Sequence, residues 1–140
     1  SPLPLLSSYA VSKAAVVRFV ENLSEELKDY KIDINAVAPG PLNTSMLEEV
    51  LKAGPKKVGK NFYNKSVKQK KTGGTPFIKA CELILFLGSK YSDGIRGKLI
   101  SALWDDWKNW INYKELLQSS DAYTLRRIVG KERGFEWGDK

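Results

Sequence analysis

The sequence predicts an α/β fold, namely the C-terminal portion of a doubly wound parallel sheet that is rich in helix and has about two strands. Three observations predict it: a helical pattern over residues 9–28, a short apolar strand pattern directly after it at 32–38, and a second helix-to-strand succession at 75–103. A helix that leads straight into a short buried strand is typical of parallel sheets, because parallel strands require a crossover connection.

The first helix is predicted by an apolar stripe at the i, i+4, i+7 and i+11 positions, which are Val16, Val20, Leu23 and Leu27. Ser7 and Ser8 are candidate N-caps. Alanines and valines near Tyr9 make this end of the helix apolar on more than one face. We therefore expect it to pack against the sheet and also against a second surface, such as another subunit.

Tyr9 and Lys13 lie on one face of that helix, because residues four apart in sequence are one turn apart. A fixed positive charge beside a phenol favours the phenolate, and a tyrosine helped in this way can exchange protons near neutral pH. The pair is therefore a candidate for general acid–base catalysis. The alternative is an exposed lysine beside a half-buried ring.

The second element is a strand, which is predicted at residues 32–38 by alternation and is ended by two prolines around Gly40. In parallel α/β sheets, ligands bind outside the carboxyl ends of the strands, where residues 39–44 would lie. Gly40 permits a flat ligand to approach the backbone closely. Asn43 and Thr44 offer short hydrogen-bonding side chains at the same place.

These residues together resemble the second half of a short-chain dehydrogenase/reductase. The Y-x-x-x-K motif of that family matches Tyr9 and Lys13. Its N-x-(V/I)-x-P-G-x-(V/I/L)-x-T stretch matches Asn35, Val37, Pro39, Gly40, Leu42 and Thr44. The first motif alone is weak, but the two motifs in this order, with a helix and a strand between them, are specific. The resemblance covers roughly residues 9–103.

The resemblance implies a Rossmann-like sheet and hydride transfer between NAD or NADP and a small-molecule alcohol or carbonyl substrate. Tyr9 would be the general acid/base, and Lys13 would assist it and hydrogen-bond the nicotinamide ribose, so both would also contact the cofactor. The residues that would line the nicotinamide are Pro39, Gly40, Leu42 and Thr44. Thr44 would bond the carboxamide.

The family pattern also includes an N-terminal half with a glycine-rich phosphate loop, and no such loop joins a strand to a helix in this sequence. We therefore expect residues 1–103 to be the C-terminal half of a Rossmann domain, a fragment that is inactive alone and need not bind the cofactor by itself. A strand without its upstream neighbour exposes an edge, which favours a homo-oligomer. The alternative is non-catalytic: an oligomeric fragment, or a basic binding module for anionic ligands or nucleic acid.

Composition excludes several kinds of site. The 140 residues include no histidine, which excludes Ser-His-Asp triads and histidine metal ligands. The single cysteine, Cys81, excludes an internal disulfide and a multi-cysteine zinc site. No apolar stretch is long enough to span a membrane and the start lacks a signal-peptide layout. We therefore expect a cytoplasmic protein with no membrane partner and no metal.

A basic helical insertion is predicted at about residues 45–74, and it supplies much of the net charge of +7. Its lysines are Lys52, Lys56, Lys57, Lys60, Lys65, Lys68, Lys70 and Lys71, and a thin apolar stripe that includes Phe62 runs through them. Three interpretations stay open: a mobile substrate lid whose lysines attract an anionic substrate, a solvated helical face, and a nucleic-acid interface. The segment has no arginine and no recognised binding motif, which disfavours nucleic acid.

The last predicted elements are a helix that Thr75 and Pro76 begin and Gly88 ends, followed by a strand at residues 98–103. Residues 104–140 form an aromatic and basic C-terminal extension. Tryptophans recur there every three residues, at Trp104, Trp107 and Trp110. They could bind a sugar or a nucleobase, but packing, including contact with a partner subunit, is the favoured interpretation for tryptophan.

Overall fold

The computed structural model describes residues 4–137, and it confirms the predicted class: a helix-rich α/β unit with a two-stranded parallel sheet. The α-helices are α1 (Ser7–Glu26), α2 (Ser45–Ala53), α3 (Pro55–Val58), α4 (Lys60–Thr72), α5 (Phe77–Leu87) and α6 (Lys114–Ser119). The strands are β1 (Ala36–Ala38) and β2 (Leu99–Ser101). Short 3₁₀ helices cover Lys28–Tyr30, Lys90–Ser92, Trp107–Tyr113 and Gly130–Arg133.

Helix α1 lies within two residues of its predicted position. The predicted caps were wrong, because Ser7 and Ser8 lie inside the helix and the N-cap is Leu6, which makes no side-chain hydrogen bond. Val17 and Val20 are buried against β1. Other apolar side chains of the helix are exposed, among them Val11, Val16 and Phe19.

Strand β1 covers only the last three residues of the predicted strand. Upstream of it one backbone bond remains, from the amide of Gly97 to the carbonyl of Ile34 at 2.8 Å, and side chains make the other bonds to the neighbouring segment. Asn35 Nδ2 donates to the carbonyl of Ile95 at 2.7 Å, and Asn35 Oδ1 accepts from the amide of Lys98 at 3.1 Å. The carboxylate of Asp33 accepts from the amide of Gly94 at 2.7 Å. These bonds hold the approach to the strand against the turn that precedes β2.

The two strands pair in parallel, with Ala36 opposite Leu99 and Ala38 opposite Ser101. The outer edge of β2 is covered by side chain and backbone from the C-terminal extension. The amide of Leu99 donates to the carbonyl of Tyr123 at 2.8 Å, and the amide of Ser101 donates to the carboxylate of Asp105 at 2.6 Å. No strand among residues 4–137 pairs with the outer edge of β1.

The main core lies between α5, β2 and the C-terminal extension. Its fully buried side chains are Leu83, Ile95 and Ile100. Trp107 and Trp110, each 5% exposed, pack into this core, which confirms the predicted packing role for these two residues. They lie on a 3₁₀ helix, whose three residues per turn place them on the same side. Trp104 is 78% exposed and does not join the core.

Helix α5 begins at Phe77 with Pro76 as its N-cap, so the predicted cap at Thr75 was wrong by one position. Thr75 instead belongs to a turn contact, because its amide donates to the carbonyl of Pro41 at 2.9 Å. The helix ends at Gly88 as predicted. The helix lies in the segment that connects α4 to β2.

Lys98 is buried at the start of β2, with only 4% of its surface exposed. Its Nζ donates to the carbonyls of Ser120 and Ala122, at 3.0 and 3.1 Å. Burial lowers the pKa of Lys98 below its usual value of 10.5, and the negative charges of Asp121 and Glu21 oppose that shift. The side chain therefore fastens the C-terminal extension to the sheet at the cost of desolvating an ammonium group.

Gly97→Ala should destabilise the protein more than Gly94→Ala. Both glycines have positive φ angles, 69° and 83°. A Cβ on Gly97 would lie 2.6 Å from the hydroxyl oxygen of Ser24 on α1, whereas a Cβ on Gly94 would meet nothing within 4 Å. Urea unfolding should show a loss of about 1 kcal/mol for Gly94→Ala from backbone strain, and about 1–3 kcal/mol more for Gly97→Ala from the close contact. Equal losses would contradict the tight approach of α1 to this turn.

Lys98→Met should change how stability depends on pH. Below the lowered pKa of Lys98 its amine is charged in both states, so the burial penalty is present in full. As pH rises from that pKa toward 10.5, the folded protein loses the proton before the unfolded chain does, so the free energy of unfolding of the wild type rises. The neutral amine keeps N–H groups for both carbonyl partners.

Urea unfolding of wild type and Lys98→Met between about pH 7 and about pH 10 measures this effect. The wild type should gain stability relative to Lys98→Met as the pH increases. Lys52→Met, at an exposed position on α2, is the control and should differ from wild type by the same amount at every pH. A constant difference for Lys98→Met as well would contradict the assigned burial of the charge.

Candidate active site

The turn that follows β1 lies at the carboxyl end of that strand. Gly40 in this turn has a φ of 89°, and a Cβ on it would lie 2.7 Å from Leu103 Cδ1 and 3.0 Å from the hydroxyl oxygen of Thr75. Because glycine alone tolerates both the angle and the contact, the turn can pack closely against the segments before α5 and after β2. This packing fixes the position of residues 39–44.

A pocket of about 290 Å³ lies beside this turn. Among the residues lining it are those that the sequence analysis assigned to the site, namely Tyr9, Pro39, Gly40, Leu42 and Thr44. Helices α2 and α4 contribute further lining residues, among them Met46, Leu47, Phe62, Ser66 and Gln69. Segments far apart in the chain therefore meet at the carboxyl end of the sheet, which is where parallel α/β folds bind ligands.

Lys13 is not among the residues that line this pocket, but it contacts Tyr9. Its Nζ lies 5.5 Å from the centroid of the Tyr9 ring, over the ring face, where the aromatic electron density attracts a cation. Tyr9 is half-buried and Lys13 is exposed. The structure thus places the charge beside the ring, with no hydrogen bond between these two side chains.

Thr44 is the N-cap of α2, yet its side chain makes no capping hydrogen bond. Its hydroxyl lines the pocket and is available to a ligand as donor and acceptor. Asn43, which the sequence analysis treated as a similar candidate, has a different contact. Its Oδ1 accepts from Gln69 Nε2 at 3.2 Å, so it joins the turn to α4.

Helices α2 and α4 line one side of the pocket. Gln69 Nε2 also donates to the carbonyl of Leu42 at 3.0 Å, which binds α4 directly to the turn. Lys70 of α4 pairs with Glu48 of α2 at 2.8 Å. The cover therefore consists of two helices joined by an ion pair: α2 continues directly from the turn, and α4 is bonded to the turn through the Gln69 side chain.

Sequence reasoning missed the pocket residues that α2 and α4 contribute. The apolar stripe that includes Phe62 is the one sequence signal that indicated packing in this segment. Ser66, which is 3% exposed, and Gln69 gave no such signal, because isolated polar residues in a lysine-rich stretch resemble a solvated helix face. Their role depends on where α4 packs.

The pocket is mostly apolar and offers a few hydroxyl groups but no carboxylate. Its lining combines apolar walls with the Tyr9 phenol and the Thr44 hydroxyl, and it includes no acidic side chain. Nowhere in residues 4–137 do three or more histidine, cysteine, aspartate or glutamate side chains come together in a way that could hold a metal ion. The helices of the same region also include none with the length and apolar character needed to cross a bilayer.

Comparison with known proteins points to one family. The family model described as short chain dehydrogenase matches residues 1–54. The uncharacterized oxidoreductase YjdA of Bacillus subtilis is 32% identical over 99 residues, which make up 71% of this chain and 36% of that protein. The chain belongs to the short-chain dehydrogenase family. The matched residues 1–54 include the tyrosine and the turn that line the pocket.

Other short-chain dehydrogenases match a similar stretch. The L-2,3-butanediol dehydrogenase of Corynebacterium glutamicum is 31% identical over 105 residues, covering 69% of this chain and 39% of that protein. The 3-oxoacyl-acyl-carrier-protein reductase FabG of Chlamydia muridarum is 32% identical over 100 residues, covering 70% and 37%. The matched stretch thus spans less than two-fifths of the length of these curated relatives. No solved structure matches the chain.

Gln69→Glu should loosen the cover of the pocket. The new carboxylate would face the carbonyl of Leu42 and the Oδ1 of Asn43, so two hydrogen bonds would be replaced by repulsion between acceptors. Hydrogen exchange of the α4 amides should become about tenfold faster, which corresponds to a loss of about 1.4 kcal/mol in local stability. Exchange in α5 should not change.

Asn64→Asp is the matched control, because it also converts an amide into a carboxylate among the lysines of α4, at an exposed position. It should leave the exchange rates near wild type. Equal acceleration in both variants would mean that added charge, rather than the lost contact with the turn, loosens the helix.

Proposed function

We propose that this chain forms the nicotinamide and substrate side of an NAD(P)-dependent oxidoreductase, which transfers a hydride between the cofactor and the hydroxyl or carbonyl group of a small molecule. The observation that carries the proposal is that Tyr9 and the turn at residues 39–44 line one pocket. The phenol can exchange a proton, and the turn supplies a fixed wall with a free threonine hydroxyl. The family to which the chain belongs supports the same chemistry.

The residues present fit the nicotinamide end of the cofactor. A pocket of about 290 Å³ is near the lower limit of ordinary ligand pockets, so it suits a ring and a small substrate better than a whole dinucleotide. Pro39, Gly40 and Leu42 offer the ring an apolar wall, and the Thr44 hydroxyl can bond the carboxamide. When bound, the nicotinamide supplies or accepts the hydride. The phosphates would require a glycine-rich half that this sequence does not contain.

In this proposal Tyr9 is the catalytic acid/base. Its hydroxyl donates a proton to the carbonyl oxygen during reduction and removes one from the alcohol during oxidation. The ammonium of Lys13 lies 5.5 Å from the centroid of the Tyr9 ring and is exposed, so it can form a hydrogen bond to the ribose. Helices α2 and α4 supply apolar side chains to the pocket, among them Leu47 and Phe62, and a less polar surrounding strengthens electrostatic interactions.

The relatives support an alcohol or carbonyl substrate and a nicotinamide cofactor. One is a butanediol dehydrogenase and another is an oxoacyl reductase. A third, from Arabidopsis thaliana, is named as an NADPH-dependent aldehyde reductase-like protein and is 51% identical over 43 residues. We propose NAD or NADP as the cofactor and the cytoplasm as the location of the protein.

A second candidate function is a non-catalytic oligomer, which the exposed apolar face of α1 favours. Val11, Val16 and Phe19 are 67%, 52% and 63% exposed, and a cluster of this kind usually contacts another surface. Sedimentation equilibrium measures whether the chain self-associates. Self-association of the chain, with no binding of NADH or NADPH even after the chain is combined with a glycine-rich half, would favour this candidate. Self-association with cofactor binding in that combined protein would describe an oligomeric enzyme.

Tyr9→Phe should abolish turnover and leave cofactor affinity nearly unchanged, because it removes the proton-transferring hydroxyl and keeps the ring. Turnover is measured in an enzyme that combines this chain with a glycine-rich half, and it should fall by at least about 100-fold. Cofactor binding is followed by energy transfer from tryptophan to NADH and to NADPH.

Tyr30→Phe makes the same chemical change at an exposed tyrosine, the last residue of the 3₁₀ helix that follows α1. It should keep full turnover and full affinity. Wild-type activity of Tyr9→Phe would refute the role assigned to Tyr9. Equal losses in both variants would indicate a general effect on folding.

A further inference from the structure

A second cavity adjoins the candidate active site. It has a volume of about 500 Å³ and lies between α4 and the segment that leads to α5. Pro41, Phe62, Ser66 and Gln69 line both this cavity and the pocket that contains Tyr9. The two spaces are therefore adjacent clefts that share these four residues.

The second cavity has an unbalanced positive charge. Lys65 and Lys68 line it, and no acidic side chain does. Both lysines are exposed, and neither forms an ion pair or a hydrogen bond through its ammonium group within the part of the chain that the structure describes. Lys70, on the same helix, is by contrast neutralised by Glu48 at 2.8 Å. The positive charges of Lys65 and Lys68 at the cavity are thus uncompensated, whereas the charge of Lys70 is paired.

The spacing of the two lysines favours a shared anionic ligand. Residues three apart on a helix lie on the same face, so Lys65 and Lys68 repel each other unless an anion lies between or beside them. The sequence offers no acidic residue between Glu49 and Glu82 to play that part. Thr75, which also lines the cavity, adds a hydroxyl that can bond an anionic oxygen.

We propose that the substrate carries an anionic group, a phosphate or a carboxylate, which Lys65 and Lys68 bind in the second cavity while its carbonyl or alcohol carbon lies beside Tyr9. The inference rests on the proposed function, because the position of Tyr9 defines which end of the substrate reacts. The second cavity, of about 500 Å³, has the size of an ordinary ligand pocket, so it has room for the anionic group and for part of the substrate that carries it. A pocket of this size favours a small-molecule substrate over a nucleic acid.

The test is a binding experiment that requires neither the cofactor nor turnover. The chain is titrated with dihydroxyacetone phosphate and with dihydroxyacetone, two carbonyl compounds that differ only in the phosphate, and binding is followed by amide chemical shifts. The phosphorylated compound should bind about tenfold more tightly or better, as expected when charged hydrogen bonds are added, and should shift the amides of Ser66 and Gln69. Equal affinities for the two compounds would overturn the proposal.

The decisive variant is Lys65→Gln/Lys68→Gln, and its matched control is Lys56→Gln/Lys57→Gln on α3, which removes two positive charges at exposed positions outside both cavities. The first variant should weaken binding of the phosphorylated compound about tenfold or more and leave dihydroxyacetone unchanged. The control should stay within about twofold of wild type, because distant exposed charges contribute little. Equal losses of affinity in the two variants would mean that general electrostatic attraction, rather than a specific site at Lys65 and Lys68, binds the phosphate, and would contradict the proposal.

Further titrations separate the possible sources of the anion. If Lys65→Gln/Lys68→Gln weakens binding of NADPH but not of dihydroxyacetone phosphate, the lysines serve the cofactor and the proposal fails. Competition by a single-stranded oligonucleotide, with loss of its binding in the same variant, would replace the substrate by nucleic acid. Tyr9→Phe should keep the affinity for the phosphorylated compound. Loss of the catalytic role of Tyr9 and loss of the anion site are therefore distinguishable results.

Discussion

The pairing of β1 with β2 is the contact on which the rest of the structure depends. Strands of three residues each form only a short ladder, and a small sheet of this kind is marginal on its own. Asn35 extends the pairing, since its side-chain nitrogen and oxygen bond the segment at Ile95 and Lys98. β1 also packs against α1 and leads into the turn at its carboxyl end. These contacts bring Tyr9 and Gly40 to one pocket.

The sequence predicts the parts of the structure that depend on local repetition. The helical pattern predicted α1 to within two residues at both ends, because a helix repeats its packing face regularly. Within the predicted stripe Val20 is buried but Val16 is exposed, and Val17 is buried in its place. Pro39, Gly40 and Pro41 located the turn at the end of the strand. The length of β1 was not predictable. The alternating pattern continues through Asn35, but there the side chain rather than the backbone bonds the neighbouring segment. Ser66 and Gln69 were not predictable either, since they reach the pocket only through the packing of α4.

The cover of the pocket is held less firmly than the core. Ser66 is the buried residue of α4, whereas α5 buries Ala80 and Leu83. A helix with few buried apolar side chains opens at a smaller cost in free energy than the core does. The helix that lines the candidate site is therefore the one whose displacement costs least, as is common for segments that cover binding sites. The lysines that reduce its apolar contact area also provide the charge at the second cavity.

The covered edge of β2 limits how copies of this protein can associate. The carbonyl of Tyr123 and the carboxylate of Asp105 occupy the outward amides of that strand, so a further strand has no donors to bond there. Addition of a strand is possible only beside β1. Two copies that joined through this edge would each use their one open side, and the resulting sheet would have no free edge on which to grow. Strand pairing between copies would therefore stop at a closed pair and would not extend into a fibre.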